Sequence, residues 1–106
     1  MASRKERLAQ NEILFREVNE RIVELTDQWG GSFDLICECA NDDCLAPIKL
    51  TLQEYEQLRQ NPRCFAVLPG HEIPDIEEVV ERHKRYLVVE KHVETHDQVE
   101  SADPRS

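Results

Sequence analysis

Residues 37–44, Cys37-Glu38-Cys39-Ala40-Asn41-Asp42-Asp43-Cys44, decide how this 106-residue chain folds. Three of its four cysteines lie in this stretch. Cys37 and Cys39 are two apart, so on a strand their side chains share one face. Ala40-Asn41-Asp42-Asp43 is rich in residues that hydrogen-bond their own backbone or tolerate the left-handed region, a turn able to fold Cys44 back over the same point. Zinc takes four soft or borderline ligands in a tetrahedron, and a closed site adds folding energy that a small core lacks. The expectation is a structural zinc ion on Cys37, Cys39 and Cys44, although the first gap is shorter than the usual two to four residues.

The fourth ligand must come from farther along, and Cys64 and His71 are the candidates. Cys64 would complete an all-thiolate site with two net negative charges. His71 would give three sulfurs and one imidazole, with one net negative charge. Pro69-Gly70 makes a tight turn that can aim His71, whereas Cys64, between Arg63 and Phe65, reads as a small buried hydrophobe at the start of a strand. The turn favours His71, and Cys64 stays as the alternative. Other readings use the same thiols. They could be an inert core cluster, a Cys37–Cys44 or Cys39–Cys44 disulfide in an oxidising compartment, or an iron–sulfur centre whose usual spacings are not met. A redox-responsive zinc site would share the ligand set.

Working outward, Ser32 to Cys37 suggests a strand that delivers the first cysteine, and Ala46 to Leu50 a second. Pro47 fits an edge or the beginning of that strand. Thr51 and Glu54 form a capping box ahead of a helix from Leu52 to about Arg59 that buries Leu52, Tyr55 and Leu58, and Asn61-Pro62 stops it. Cys64 to Leu68 reads as a third strand. Ile76 to Lys91 is expected to be a hairpin with Arg82-His83-Lys84-Arg85 near its tip; a helix from Pro74 to about His83 followed by one strand is the competing assignment.

Upstream, Leu8, Asn11, Phe15, Val18, Ile22, Leu25 and Trp29 alternate by three and four, a heptad stripe on one helix ended by Gly30-Gly31. Ile13 and Leu14 widen the stripe. Arg4, Glu12, Glu17, Glu20 and Glu24 are assigned to the remaining surface, with Glu12–Arg16 and Glu17–Arg21 as pairs four apart. The stripe either packs on the molecule's own sheet or serves a dimer or another protein. Residues 92–106 are polar and expected to be disordered, with His92 and His96 as solvated tail residues. The predicted organisation is therefore α+β. A long amphipathic helix over 1–30 precedes a small zinc-stabilised domain over 31–91, with a mostly antiparallel sheet, one short central helix and a zinc-ribbon-like cysteine hairpin, and then the tail over 92–106.

The charge balance sets further bounds: 22 Asp and Glu against 13 Lys and Arg give a formal charge of −9. That field repels nucleic acid and anionic lipid, so neither is expected to bind directly. No run approaches the roughly 18 apolar residues of a membrane span, and no apolar segment follows the basic start, so the expected compartment is the cytoplasm. Catalysis is not expected. Four protein ligands leave no open metal position, the glycines do not form a phosphate-binding loop, and a Cys64–His71 nucleophilic pair has no orienting third group. No small-molecule substrate is expected either. The leading functional expectation is a regulatory or adaptor protein whose N-terminal helix contacts another protein or a second copy. A thiol-based redox sensor and a self-associating structural protein are the alternatives.

Asn11-Glu12 with Phe15 to Ile22, the three clustered cysteines, Leu52 to Tyr55 with Arg59, Phe65 with Val67, Pro69-Gly70-His71-Glu72, and Tyr86 with Val88 to Lys91 together resemble a family of small, acidic, largely uncharacterised actinobacterial proteins. The resemblance spans roughly residues 11 to 91. It implies that His71 accompanies the cysteine motif, and it implies no activity.

Overall fold

The computed structural model describes residues 3–26, 32–39, 41, 44, 46–92 and 95–104. Trp29, the Gly30-Gly31 helix stop, and Ala40, Asp42 and Asp43 of the expected turn lie outside the described residues. The architecture is α+β. The elements run α1 (Arg4–Thr26), β1 (Ser32–Ile36), β2 (Pro47–Thr51), α2 (Leu52–Leu58), β3 (Cys64–Val67), β4 (Glu77–Arg82), β5 (Leu87–Lys91) and α3 (His96–Ser101). No helix of the described residues is long and apolar enough to cross a membrane.

β1 and β2 form an antiparallel hairpin with Leu35 opposite Ile48 and Ile36 opposite Pro47. Leu35, Ile48 and Leu50 turn inward and are buried, the period-2 pattern of a strand with one wet face. Thr51 then caps α2. Its hydroxyl accepts from the Glu54 amide at 3.1 Å, while the Glu54 carboxylate accepts from the Thr51 amide at 2.9 Å. The second sheet is antiparallel in the order β3-β5-β4, so the Ile76–Lys91 region is a hairpin with its basic patch at the tip. A register shift between Val79 and Glu81 leaves Val80 45% exposed on the edge strand. Two small sheets stand where one was expected. They are joined at the cysteine segment, where the Cys37 amide donates to Ala46 and the Glu38 amide to Ala66, both at 2.8 Å.

The buried face of α1 differs from the expected stripe. Ala9, Glu12, Ile13, Arg16, Asn19, Glu20 and Val23 are buried, together with Phe15 at its edge, while Leu14, Val18 and Leu25 are exposed. Glu12 and Glu20 are thus core residues, contrary to their assignment to the surface. The Glu12–Arg16 pair gives way to separate distant partners, and Arg21 meets Glu24 at 3.8 Å on the exposed side. The helix rolls because its polar side chains find specific partners. Glu12 binds the Lys91 ammonium, which also meets Glu77 at 3.2 Å. Arg16 donates to the carbonyls of Pro62 and Val99, each at 2.7 Å, and lies 4.8 Å over the Phe65 ring.

Within the tail expected to be disordered over 92–106, the described residues include the helix α3 and dock on the core. Val99 of α3 is fully buried, worth on the order of 1.5–3 kcal/mol. Asp103 binds the buried Arg59, which meets Glu20 at 2.6 Å. His96 is bonded to the Lys91 carbonyl at 2.7 Å and is no solvated tail residue. Val99 and two carboxylates, Asp103 and Glu100, the latter 2.5 Å from Arg63, dock the segment, and none of them stands out in a polar composition.

Burial, and next the neighbouring Glu77, hold the Glu12 carboxyl well above the usual carboxylate range, while Lys91 pulls the other way. A carboxyl raised on folding contributes stability that is full below its unfolded value of about 4.3 and fades as pH rises through the folded value. Glu12→Gln cannot ionise, so urea denaturation should show the variant gaining on the wild type as pH rises from acid to neutral. Lys91→Met should instead cost about 3–5 kcal/mol at neutral pH, because it strands two buried acids without their cation.

Candidate metal centre

Each member of the centre is aimed by local backbone chemistry. Cys37 follows β1 directly, and the hydrogen bond from its amide to the Ala46 carbonyl prolongs the hairpin ladder by one residue. Glu38 is wholly buried, and Cys37 and Cys39 on either side of it are 0% and 2% exposed. Cys44 comes back over them through a turn closed by its amide on the Asn41 carbonyl at 3.0 Å. The second turn is Leu68-Pro69-Gly70-His71, where the His71 amide donates to Leu68 at 2.9 Å. Pro69 fits the first inner position, and Gly70 at φ 92° supplies the positive dihedral that a type II turn requires at the second. The Gly70 amide is further fixed by the Glu72 carboxylate at 2.8 Å.

The structure brings Cys37, Cys39, Cys44 and His71 together, with all four ligand atoms within 4.8 Å of one another. His71 Nδ1 lies 3.5 Å from the sulfurs of both Cys37 and Cys44. Metal–sulfur bonds near 2.3 Å and metal–nitrogen bonds near 2.0–2.1 Å in a tetrahedron require a sulfur–nitrogen edge of about 3.5 Å. The cluster therefore has the size and donors to hold a metal ion, with His71 bound through Nδ1. Four such ligands close the coordination sphere to water, which suits a structural ion.

Cys64 is placed elsewhere. It is buried at the start of β3, outside the cluster, and burial, then Glu90 and Glu81, push its thiol up to about 12. Within the cluster, the Cys37–Cys39 hydrogen bond comes first in both shifts. It raises Cys37, with burial adding to the effect, and pulls Cys39 down to about 5, with His71 helping against burial. Cys37 also receives the Leu68 amide at 3.2 Å, an N–H donor suited to stabilise a thiolate ligand.

Sequence reasoning missed the group that ties this centre to the rest. It is Glu38, whose carboxylate bonds to other elements than the cysteine loop. It accepts from Asn19 Nδ2 at 2.8 Å and from the Ala66 amide at 3.0 Å. Asn19 in turn imitates a strand. Its side chain accepts from the Ile36 amide and donates to the Ile36 carbonyl, both at 2.9 Å. Asn11, not Asn19, belongs to the expected stripe of α1, and Asn19 has no local signal beyond being a polar residue in a helix interior.

No family model matches the chain, and no curated protein or solved structure matches it either.

Metal titration against a competing chelator, with elemental analysis, should show Cys64→Ala keeping its full metal content. His71→Ala should lose at least about tenfold in affinity, the lower bound for disturbing even an outer partner of a ligand. Asn19→Leu strips the Ile36 amide and carbonyl of their partner. At about 1–3 kcal/mol for each buried unsatisfied group, it should lower stability by about 2–5 kcal/mol in denaturant titration.

Proposed function

We propose that this chain is a non-enzymatic regulatory or adaptor protein, in which a structural zinc ion on Cys37, Cys39, Cys44 and His71 fixes a scaffold whose helix α1 docks on another protein. The observation that carries the reading is the inversion of α1. A 23-residue helix buries Glu12, Arg16, Asn19 and Glu20 while leaving Leu14, Val18 and Leu25 at 53%, 41% and 66% exposure. Half-buried Ile22 borders this strip. Apolar side chains spaced along one helix face and turned to water are the usual form of a helix that a partner covers.

Zinc is favoured among metals by the donor set. Three sulfurs and an imidazole suit a borderline-soft ion with tetrahedral preference, whereas magnesium and calcium seek oxygen donors, which the cluster among the described residues does not include. Four free cysteines agree with a reducing compartment such as the cytoplasm. Membership of the small acidic actinobacterial family that the motifs resemble belongs to the same proposal.

The test uses Leu14→Glu and Val18→Glu, which alter exposed positions and should leave fold and metal content intact by circular dichroism and elemental analysis. Affinity capture from the source cells should lose its specific partner by at least about thirtyfold, as for a central contact worth 2 kcal/mol or more. Partners that survive both substitutions would refute docking through α1. Sedimentation across a concentration range separates the self-associating reading, since only there would the two charges convert an oligomer into a monomer.

A further inference from the structure

We propose that the cleft between the two sheets, walled by the tip of the β4–β5 hairpin, is a second docking surface, and that it takes an acidic peptide segment anchored by an apolar side chain. Arg82-His83-Lys84-Arg85 at that tip are all exposed. The turn carrying them is closed by the His83 amide on the Tyr86 carbonyl at 2.9 Å. The His83 ring stacks on the buried Tyr86 at 4.3 Å and meets Glu81 at 3.0 Å, which pins the tip to the core. Beside it lies a cleft of about 360 Å³, at the lower end of the roughly 300–1,000 Å³ of ligand-holding clefts. Its described lining comes from both sheets: Asp34, Pro47, Ile48 and Lys49 of the β1–β2 hairpin, Leu68 just after β3, and Arg85 of the tip. The hairpin is fastened to β3 through the bonds between Glu38 and Ala66, so the two walls are set before a ligand arrives.

The lining selects the occupant. Pro47, Ile48 and Leu68 offer an apolar floor, and Lys49 and Arg85 bring one cation from each sheet. Lys49 meets Asp34 at 3.6 Å, but both side chains are more than half exposed, and a pair so screened by water yields to a ligand carboxylate at little cost. Under the tip, the Glu54 carboxylate is engaged by the Thr51 amide at 2.9 Å and the Tyr86 hydroxyl at 3.4 Å. A short peptide with carboxylates on either side of an apolar residue matches both features. A nucleic-acid strand matches them less well. The formal charge of −9 repels a polyanion at long range, and an apolar floor suits a side chain better than a sugar-phosphate backbone. The cleft has no lining residue from α1 among the described residues, so it stands independently of docking through that helix and would give an adaptor its second face.

The probe is a phage library of random dodecapeptides selected on the immobilised full chain, with enriched peptides then labelled and titrated by fluorescence anisotropy. Expected is a consensus of two or more Asp or Glu around a Leu, Ile or Phe, bound more weakly as salt rises. Lys49→Glu with Arg85→Glu should lower affinity at least about tenfold, through like charges set opposite the ligand's acids. Serine in place of the peptide's apolar residue should do the same. Arg4→Glu with Arg7→Glu changes the net charge equally and should leave affinity within about twofold, since those side chains lie on α1. If the glutamates disturb the hairpin by circular dichroism, Lys49→Ala with Arg85→Ala is read in their place. A selection without an acidic consensus overturns the proposal, as do peptides held equally by the Lys49 and Arg85 variants. An oligothymidylate that displaces the peptide at a lower concentration than the unlabelled peptide also overturns it. Peptides lost on Leu14→Glu with Val18→Glu instead would end this proposal and support docking through α1.

Discussion

A single buried carboxylate, that of Glu38, joins the parts of this molecule that no β-ladder connects. It sits between two cysteines of the cluster, accepts Asn19 from α1, and takes the Ala66 amide on the outer edge of β3. The amide of the same residue donates to the Ala66 carbonyl, so both outward polar groups of Ala66 are satisfied by one residue. Burial raises its carboxyl above the usual range, while Asn19 and Ala66 pull it back. A carboxylate so enclosed is tolerable only where its hydrogen bonds are all in place. The position of one side chain thus fixes the hairpin against the three-stranded sheet and the helix against both.

The same logic governs α1. Three cations and several acids are taken into the interior, and each cation has partners distant in the chain: Lys91 with Glu12 and Glu77, Arg59 with Glu20 and Asp103, and Arg16 with the carbonyls of Pro62 and Val99. Buried pairs of this kind add little net stability over apolar packing, but removing one member is costly. They hold α1 in one rotational setting, and that setting turns Leu14, Val18 and Leu25 outward. The exposed strip is therefore the other side of the ionic core, and the proposed adaptor role is motivated by the two together.

The metal cluster gives such a scaffold its closure. A domain of this size has a modest apolar core, and an ion held by residues of the segment after β1 and of the turn after β3 would tie the two sheets at their seam. The ligands are buried to different depths, with Cys37 innermost and Cys44 at the mouth.

What the sequence alone determined is what short-range chemistry controls. The capping box at Thr51 and Glu54, the shared face of Cys37 and Cys39, the Pro69-Gly70 turn that aims His71 and the hairpin carrying residues 82–85 all depend on neighbours a few positions apart. What only the tertiary structure decided is which polar side chains go inside. Arg16 meets Val99 across 83 residues, Lys91 meets Glu12 across 79, and Arg59 meets Asp103 across 44. Periodicity assigns charged residues to water because an unpaired charge belongs there. It cannot register a partner brought from the far end of the chain, so the rolled face of α1, the docked segment after His96 and the clamp between Asn19 and Glu38 emerge only when the distant groups meet.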